Sequence, residues 1–222
     1  MKTVIFDLDG TLADTSADLI AAANAAFRMG GHDVALDPVA DALTAFHGGR
    51  AMLRLGFSRL AGGWDEGEID RLYPLLLEYY GNNINRHTRL YDGVVEMLDA
   101  LAAAGMALGI CTNKPESLAE TLVRELGIRD YFGALLGADS IAVKKPDPEH
   151  LLETVRRVGG DAGNAVLVGD TVTDRAAGRA AGVPVVLVTF GPAGQGVAAL
   201  EPEALLDHYR DLPGVLERLG TG

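Results

Sequence analysis

Residues 4–15, VIFDLDGTLADT, place two aspartates, Asp7 and Asp9, at the end of an apolar run and follow them at once with Gly10 and Thr11. Two carboxylates so close at the mouth of a buried strand repel one another and lose hydration, so the position calls for a cation or a proton between them. Further polar groups follow later apolar runs: Thr112 and Asn113 in ICTNKP, Lys145 in VKKPDP, and Asp170 in VLVGDTVTD with Asp174 a turn later. Any one of these alone marks an ordinary turn. Gathered in one pocket they do more. An oxygen-only set of carboxylates, with no His or Cys, suits Mg²⁺ over zinc. Lys145 supplies a compact positive charge, and Thr112, Asn113 and the backbone amides at Gly10 supply donors, a combination that suits a phosphoryl group. One carboxylate of such a site can attack phosphorus to form an acyl phosphate, and a second can protonate the leaving oxygen and later activate water.

A scaffold must bring these residues together. Buried strands are expected at 3–6, 107–111, 134–137, 165–168 and 185–188, where the chain is apolar, β-branched or bounded by glycine. Helical patterns at 94–104, 116–126, 148–158 and 173–181 separate them, each ending before Gly105, Gly127, Gly159 or Gly182. Strand, helix, strand in this rhythm predicts a Rossmann-like α/β core, a parallel sheet covered on both faces, in which every polar signal above falls at a carboxyl edge. The rhythm breaks once. Residues 15–83 hold no convincing strand but helical patterns at 16–29, 37–44, 50–60 and 66–80, too long for a loop. The expected organisation is a core of residues 1–14 and 84–222 with an inserted all-helical cap of residues 15–83, placed to act as a lid.

Composition narrows the partners. The 222 residues are 48% hydrophobic, enough for a packed core. Thirty-one acidic against nineteen basic residues give a formal charge of −12, and no basic tract exceeds Lys144-Lys145, which excludes nucleic acid and anionic membrane as natural partners. The one cysteine, Cys111, cannot form an internal disulfide, and no apolar run reaches membrane-spanning length. A cytoplasmic location is expected. Nothing marks an oligomer interface.

Taken together, DLDGTLADT, GICTNKPE, KKPDP and GDTVTD resemble, in order, the four motifs of the haloacid dehalogenase-like superfamily, and ICTNKPE with VTFG resembles its phosphoglycolate phosphatase-like branch. The resemblance covers nearly the whole chain. It implies Asp7 as nucleophile, Asp9 as general acid/base, and Mg²⁺ held by Asp7, the Asp9 carbonyl and Asp170. It implies Thr112 and Lys145 on the phosphoryl group, Asn113 assisting, and Asp174 supporting the metal waters or Lys145. The activity implied is Mg²⁺-dependent hydrolysis of a small phosphate monoester, with 2-phosphoglycolate the expected substrate and a sugar phosphate or nucleotide the alternative. Asp9 argues against a dehalogenase, whose halide leaves without a proton. The insert contains no lysine, against a Schiff-base or phosphoglucomutase-like enzyme. A phospho-aspartate switch of receiver type fits less well, because there the lysine comes last and no large insert occurs.

The resemblance also sets Lys145, directly before proline, over its neighbour Lys144, and Tyr91-Asp92-Gly93 replaces a Pro-containing turn common in relatives. In the insert, FHGGRAML offers Gly49 and Arg50 for substrate choice, Arg50 as the cation for a substrate carboxylate. His47, His87 and Cys111 read as structural, Trp64, Tyr79 and Tyr80 as packing residues, and 202–219 as one or two closing helices.

Overall fold

The computed structural model describes residues 2–61 and 63–220; Met1, Gly62, Thr221 and Gly222, which fall within the expected domain spans, lie outside the described residues. The chain divides into two compact units, one of Met1–Ala13 with Leu90–Gly222 and one of Asp14–Arg89. Short strands β2 (Ala13–Asp14) and β3 (Arg89–Leu90) mark the two passages of the chain between them.

The first unit is built on six parallel strands, β1 (Thr3–Phe6), β4 (Ala107–Cys111), β5 (Ala134–Leu136), β6 (Ala165–Gly169), β7 (Val185–Val188) and β8 (Ala204–Leu206). Their order is β5-β4-β1-β6-β7-β8, with β1 central. Every residue of β1, β4, β6 and β7 is buried, as expected of strands covered on both faces. One face packs Ile5, Cys111, Leu167, Val185 and Leu187 against Leu151 and Val155. Burying each large aliphatic side chain contributes about 1.5–3 kcal/mol. Register then sets the functional edge. Phe6 lies opposite Ile110 on one side and Val168 on the other, so the chain leaves β1, β4 and β6 at one level, and Asp7, Thr112 and Asp170 follow within two residues of that line.

Helices α5 (Val94–Ala103), α6 (Glu116–Glu125), α7 (Pro148–Arg157), α8 (Val172–Ala181) and α9 (Leu212–Arg218) belong to this unit. Asp147 caps α7 by accepting from the Glu149 amide, with Pro148 at the first turn. Thr171 and Asp174 form a reciprocal capping box that starts α8 and fixes Asp174 in place. One expectation is corrected: residues 202–219 are not purely helical, because Ala204–Leu206 adds the edge strand β8 beside β7. Only Leu212–Arg218 is α-helical there.

The second unit comprises α1 (Ser16–Met29), α2 (Ala42–Ala45), α3 (Gly49–Ser58) and α4 (Glu66–Asn82). α2 is shorter than the expected 37–44, because the Asp37 carboxylate accepts from the amides of Val39 and Ala40 and holds a turn there. Phe27 meets Phe57 edge-on at 5.5 Å, and Trp64 stacks on Phe57 at 6.2 Å. A Cβ on Gly56 would sit 2.2 Å from the Phe27 ring, so the α1–α3 contact needs glycine. Buried Asp18 accepts from the amides of His87 and Thr88 and from the Thr88 hydroxyl, which gives His87 a structural place. No described helix is long and apolar enough to cross a membrane.

Candidate active site

Asp7 follows β1 directly, its amide donating to the Val168 carbonyl at 2.9 Å. One carboxylate oxygen, Oδ1, accepts from the Leu8 amide at 2.7 Å and lies 3.0 Å from Lys145 Nζ. The Lys145 ammonium, 1% exposed, also donates to Asp174 Oδ1 at 2.6 Å. Lys144 is exposed, so burial separates the two lysines as the motif position does. Asp174 Oδ2 accepts from the Thr171 amide at 3.0 Å and the Thr171 hydroxyl at 2.6 Å. Both of its oxygens are thus engaged, one by Lys145 and one by the cap of α8. Asp170 Oδ1 accepts from the Thr11 hydroxyl at 2.9 Å, while buried Asp170 Oδ2 has no hydrogen-bond partner.

Electrostatics follow from crowding. Burial, reinforced by Asp174 and Asp9, raises the Asp7 carboxyl to about 6 although Lys145 pulls it down. Burial and then the Asp174 and Asp7 charges push Asp170 well above the usual carboxylate range. Burial works against the Lys145 charge, but Asp174 and Asp7 outweigh it and hold the ammonium protonated. One lysine against three buried carboxylates leaves negative charge uncompensated. Asp7, Asp170 and Asp174 each offer an oxygen within 4.8 Å of the others. An oxygen-only set with an orphaned buried carboxylate oxygen fits a hard divalent cation.

The other expected groups are distributed as follows. Thr112 is buried just past β4, its hydroxyl accepting from the Lys114 amide at 3.2 Å. Asn113 donates its side-chain amide to the Lys145 carbonyl at 2.9 Å and so braces the lysine's own loop. Gly10 differs from expectation. Its amide donates to the Ala13 carbonyl at 2.9 Å and its φ is +82°, so it serves the turn after Asp9 and does not present that amide to a phosphoryl group. Gly49 opens α3 and Arg50 lies on it, both in the helical unit, where Arg50 pairs with Asp70 at 2.7 Å and lies 4.9 Å over the Tyr73 ring. Cys111 is buried inside β4, its thiol pushed up to about 12 by burial, with Sγ 3.5 Å from His150 Nδ1. It is no nucleophile.

The sequence gives no site role to Thr11, Lys114 or Gly137. Lys114 Nζ lies 2.8 Å from Asp9 Oδ1, with the lysine side chain 5% exposed. The Lys114 carbonyl accepts from the Ala138 amide at 2.9 Å. A Cβ on Gly137 would stand 2.3 Å from the Glu116 amide nitrogen and 2.7 Å from the Lys114 carbonyl oxygen, so glycine is required where this loop crosses the end of β5. The NKP triplet signals a turn at Lys114, but nothing local in it points to Asp9.

Comparison with known proteins agrees with this picture. A family model described as haloacid dehalogenase-like hydrolase matches residues 4–188. A phosphoglycolate phosphatase of Mesorhizobium japonicum is 41% identical over 206 residues, covering 93% of this chain and 90% of that protein. One from Agrobacterium fabrum is 40% identical over 219 residues, covering 97% and 92%. A crystal structure of a Haemophilus somnus protein, described as a predicted phosphoglycolate phosphatase, matches with a TM-score of 0.83 at 26% identity over 97% of each chain.

Proposed function

This chain belongs to the haloacid dehalogenase-like hydrolase family, and from that premise we propose that it is a Mg²⁺-dependent phosphatase of small phosphate monoesters, with 2-phosphoglycolate as its substrate. The observation that carries the reading is the Lys145 ammonium held between Asp7 and Asp174, beside an orphaned oxygen of Asp170. The substrate assignment rests on the two phosphoglycolate phosphatases about 40% identical over nearly their whole length.

Asp7 is the nucleophile. Its carboxylate attacks phosphorus, the bond from phosphorus to the ester oxygen breaks, and the departing oxygen takes a proton from Asp9. Water then attacks the acyl phosphate on Asp7, giving its proton to Asp9 as the bond to the Asp7 oxygen breaks, so that phosphate leaves and both carboxyl groups return to their first state. Lys145 and the Thr112 hydroxyl bind the phosphoryl oxygens, and Asn113 holds the Lys145 loop. Asp7, the Asp9 carbonyl and Asp170 would hold Mg²⁺, with Asp174 orienting Lys145. Bound there, the ion neutralises excess carboxylate charge and polarises a phosphoryl oxygen. Lys145, 3.0 Å from Asp7 Oδ1, opposes the burial that raises the Asp7 carboxyl and so favours its ionised, nucleophilic form.

The helical insert serves as the cap, and Gly49 and Arg50 are its residues for substrate choice. Arg50→Ala is expected to raise the KM for phosphoglycolate; an unchanged KM would remove Arg50 from that role. The reaction itself is tested by phosphate release from a panel of small esters, with Mg²⁺ and with chelator. Metal-dependent release, fastest from phosphoglycolate, is expected. Preference for a sugar phosphate or nucleotide would replace the substrate within the same class, and no release from any ester would overturn the reading.

A further inference from the structure

We infer that Lys114 is a further residue, besides Arg50, that recognises the carboxylate of the substrate's leaving group, an inference that rests on the phosphoglycolate reading above. The chain has only four lysines, and a cation buried in a protein of charge −12 is held there against a desolvation cost. Lys145 belongs to the phosphoryl group and to Asp7. Lys114 stands instead on Asp9, 2.8 Å from Oδ1, with its side chain 5% exposed and that of Asp9 17% exposed. Its backbone is fixed from both sides, the amide on the Thr112 hydroxyl at 3.2 Å and the carbonyl under the Ala138 amide at 2.9 Å. Gly137 lets that loop lie directly on the end of β5. The ammonium is therefore placed by the same loop that places Thr112.

Asp9 must touch the ester oxygen to protonate it. In phosphoglycolate only a methylene carbon separates that oxygen from the carboxylate. A cation one hydrogen-bond length from Asp9 therefore lies beside the leaving group. An ammonium carries three donors, so the group that holds Asp9 Oδ1 can meet a substrate carboxylate as well. A neutral leaving group would forgo the charge-assisted contact that a carboxylate makes with this ammonium. Specificity for a short carboxylated alcohol thus begins in the core unit, next to the acid/base.

The test compares phosphoglycolate with ethyl phosphate, which lacks the carboxylate, in the parent, Lys114→Met and Lys114→Arg. For Lys114→Met the ratio of kcat/KM for phosphoglycolate over ethyl phosphate is expected to fall at least tenfold, carried mainly by a higher KM for phosphoglycolate. Lys114→Arg keeps the charge and is expected to hold the ratio within about fivefold of the parent, which serves if the methionine variant does not fold. An unchanged ratio in Lys114→Met, with kcat for both esters lowered alike, would overturn the inference and leave Lys114 acting only through Asp9. A collapsed ratio in Lys114→Arg equal to that of Lys114→Met would also overturn recognition by charge. A parent that shows no preference for phosphoglycolate over ethyl phosphate would instead overturn the reading on which the inference rests, before any variant is compared.

Discussion

Asp7→Asn is expected to lower kcat by roughly four orders of magnitude or more, the scale on which loss of a nucleophile is felt, while leaving the protein folded. The amide oxygen can keep the place of Oδ1, accepting from the Leu8 amide and facing Lys145, because Asn and Asp are nearly isosteric. Lys145 retains Asp174 as a partner. The substitution removes one of three clustered buried carboxylates, and the one removed is a group that burial already drives toward the protonated form, so the thermal midpoint without metal is expected to hold or rise at neutral pH. Phosphate release and a melting curve on the same preparation check both halves. Activity within tenfold of the parent would remove Asp7 as nucleophile.

Lys145→Met is expected to do the opposite to stability. It leaves Asp7, Asp170 and Asp174 facing one another without the ammonium, and stripping one partner from a buried ion pair costs about 3–5 kcal/mol. The sign of the pH dependence follows from the direction of the shifts. Asp7 and Asp170 have raised folded-state values, so the folded protein holds their protons more tightly than the unfolded chain. Their contribution to stability therefore declines as pH rises from the ordinary carboxyl range through the folded value, about 6 for Asp7 in the parent. Without Lys145 those protons are held more tightly still, and the decline extends to higher pH. The deficit of the variant, measured by urea unfolding in chelator, should be larger at pH 8 than at pH 5, and phosphatase activity should be lost. An equal deficit at both pH values would show that lost packing, and not charge compensation, is what Lys145 supplies.

The parallel core was legible because its strands are short, fully buried and β-branched, and their carboxyl ends carry polar residues that such burial would otherwise exclude. Thr3–Phe6, Ala107–Cys111 and Val185–Val188 are strands with the expected bounds. β8 was not legible. Glu203, Ala204, Leu205 and Leu206 are good helix formers, and only pairing with the edge of β7 makes 204–206 a strand, a case of tertiary contact overriding propensity. Asp37–Thr44 failed in the other direction, since Asp37 and Pro38 favour a side-chain-stabilised turn over a helix start.

Within the site, the acids and Lys145 were visible through their order and their places after strands. The pairings were not. Thr11 reaches Asp170 across 159 residues and Lys114 reaches Asp9 across 105, and no spacing rule links such positions. Gly137 is likewise explained only by the loop that crosses it. The Gly10 amide is engaged by the turn it closes, a constraint set by the folded loop and not by the residue types.

The central claim is that phosphate passes through Asp7, in two displacements at phosphorus. The measurement that tests it most directly is the stereochemical course of hydrolysis, using a phosphorothioate analogue of phosphoglycolate made chiral by oxygen isotopes and hydrolysed in isotopically labelled water. Two in-line displacements predict net retention of configuration at phosphorus. Inversion would mean that water attacks the ester directly, and would contradict Asp7 as the nucleophile.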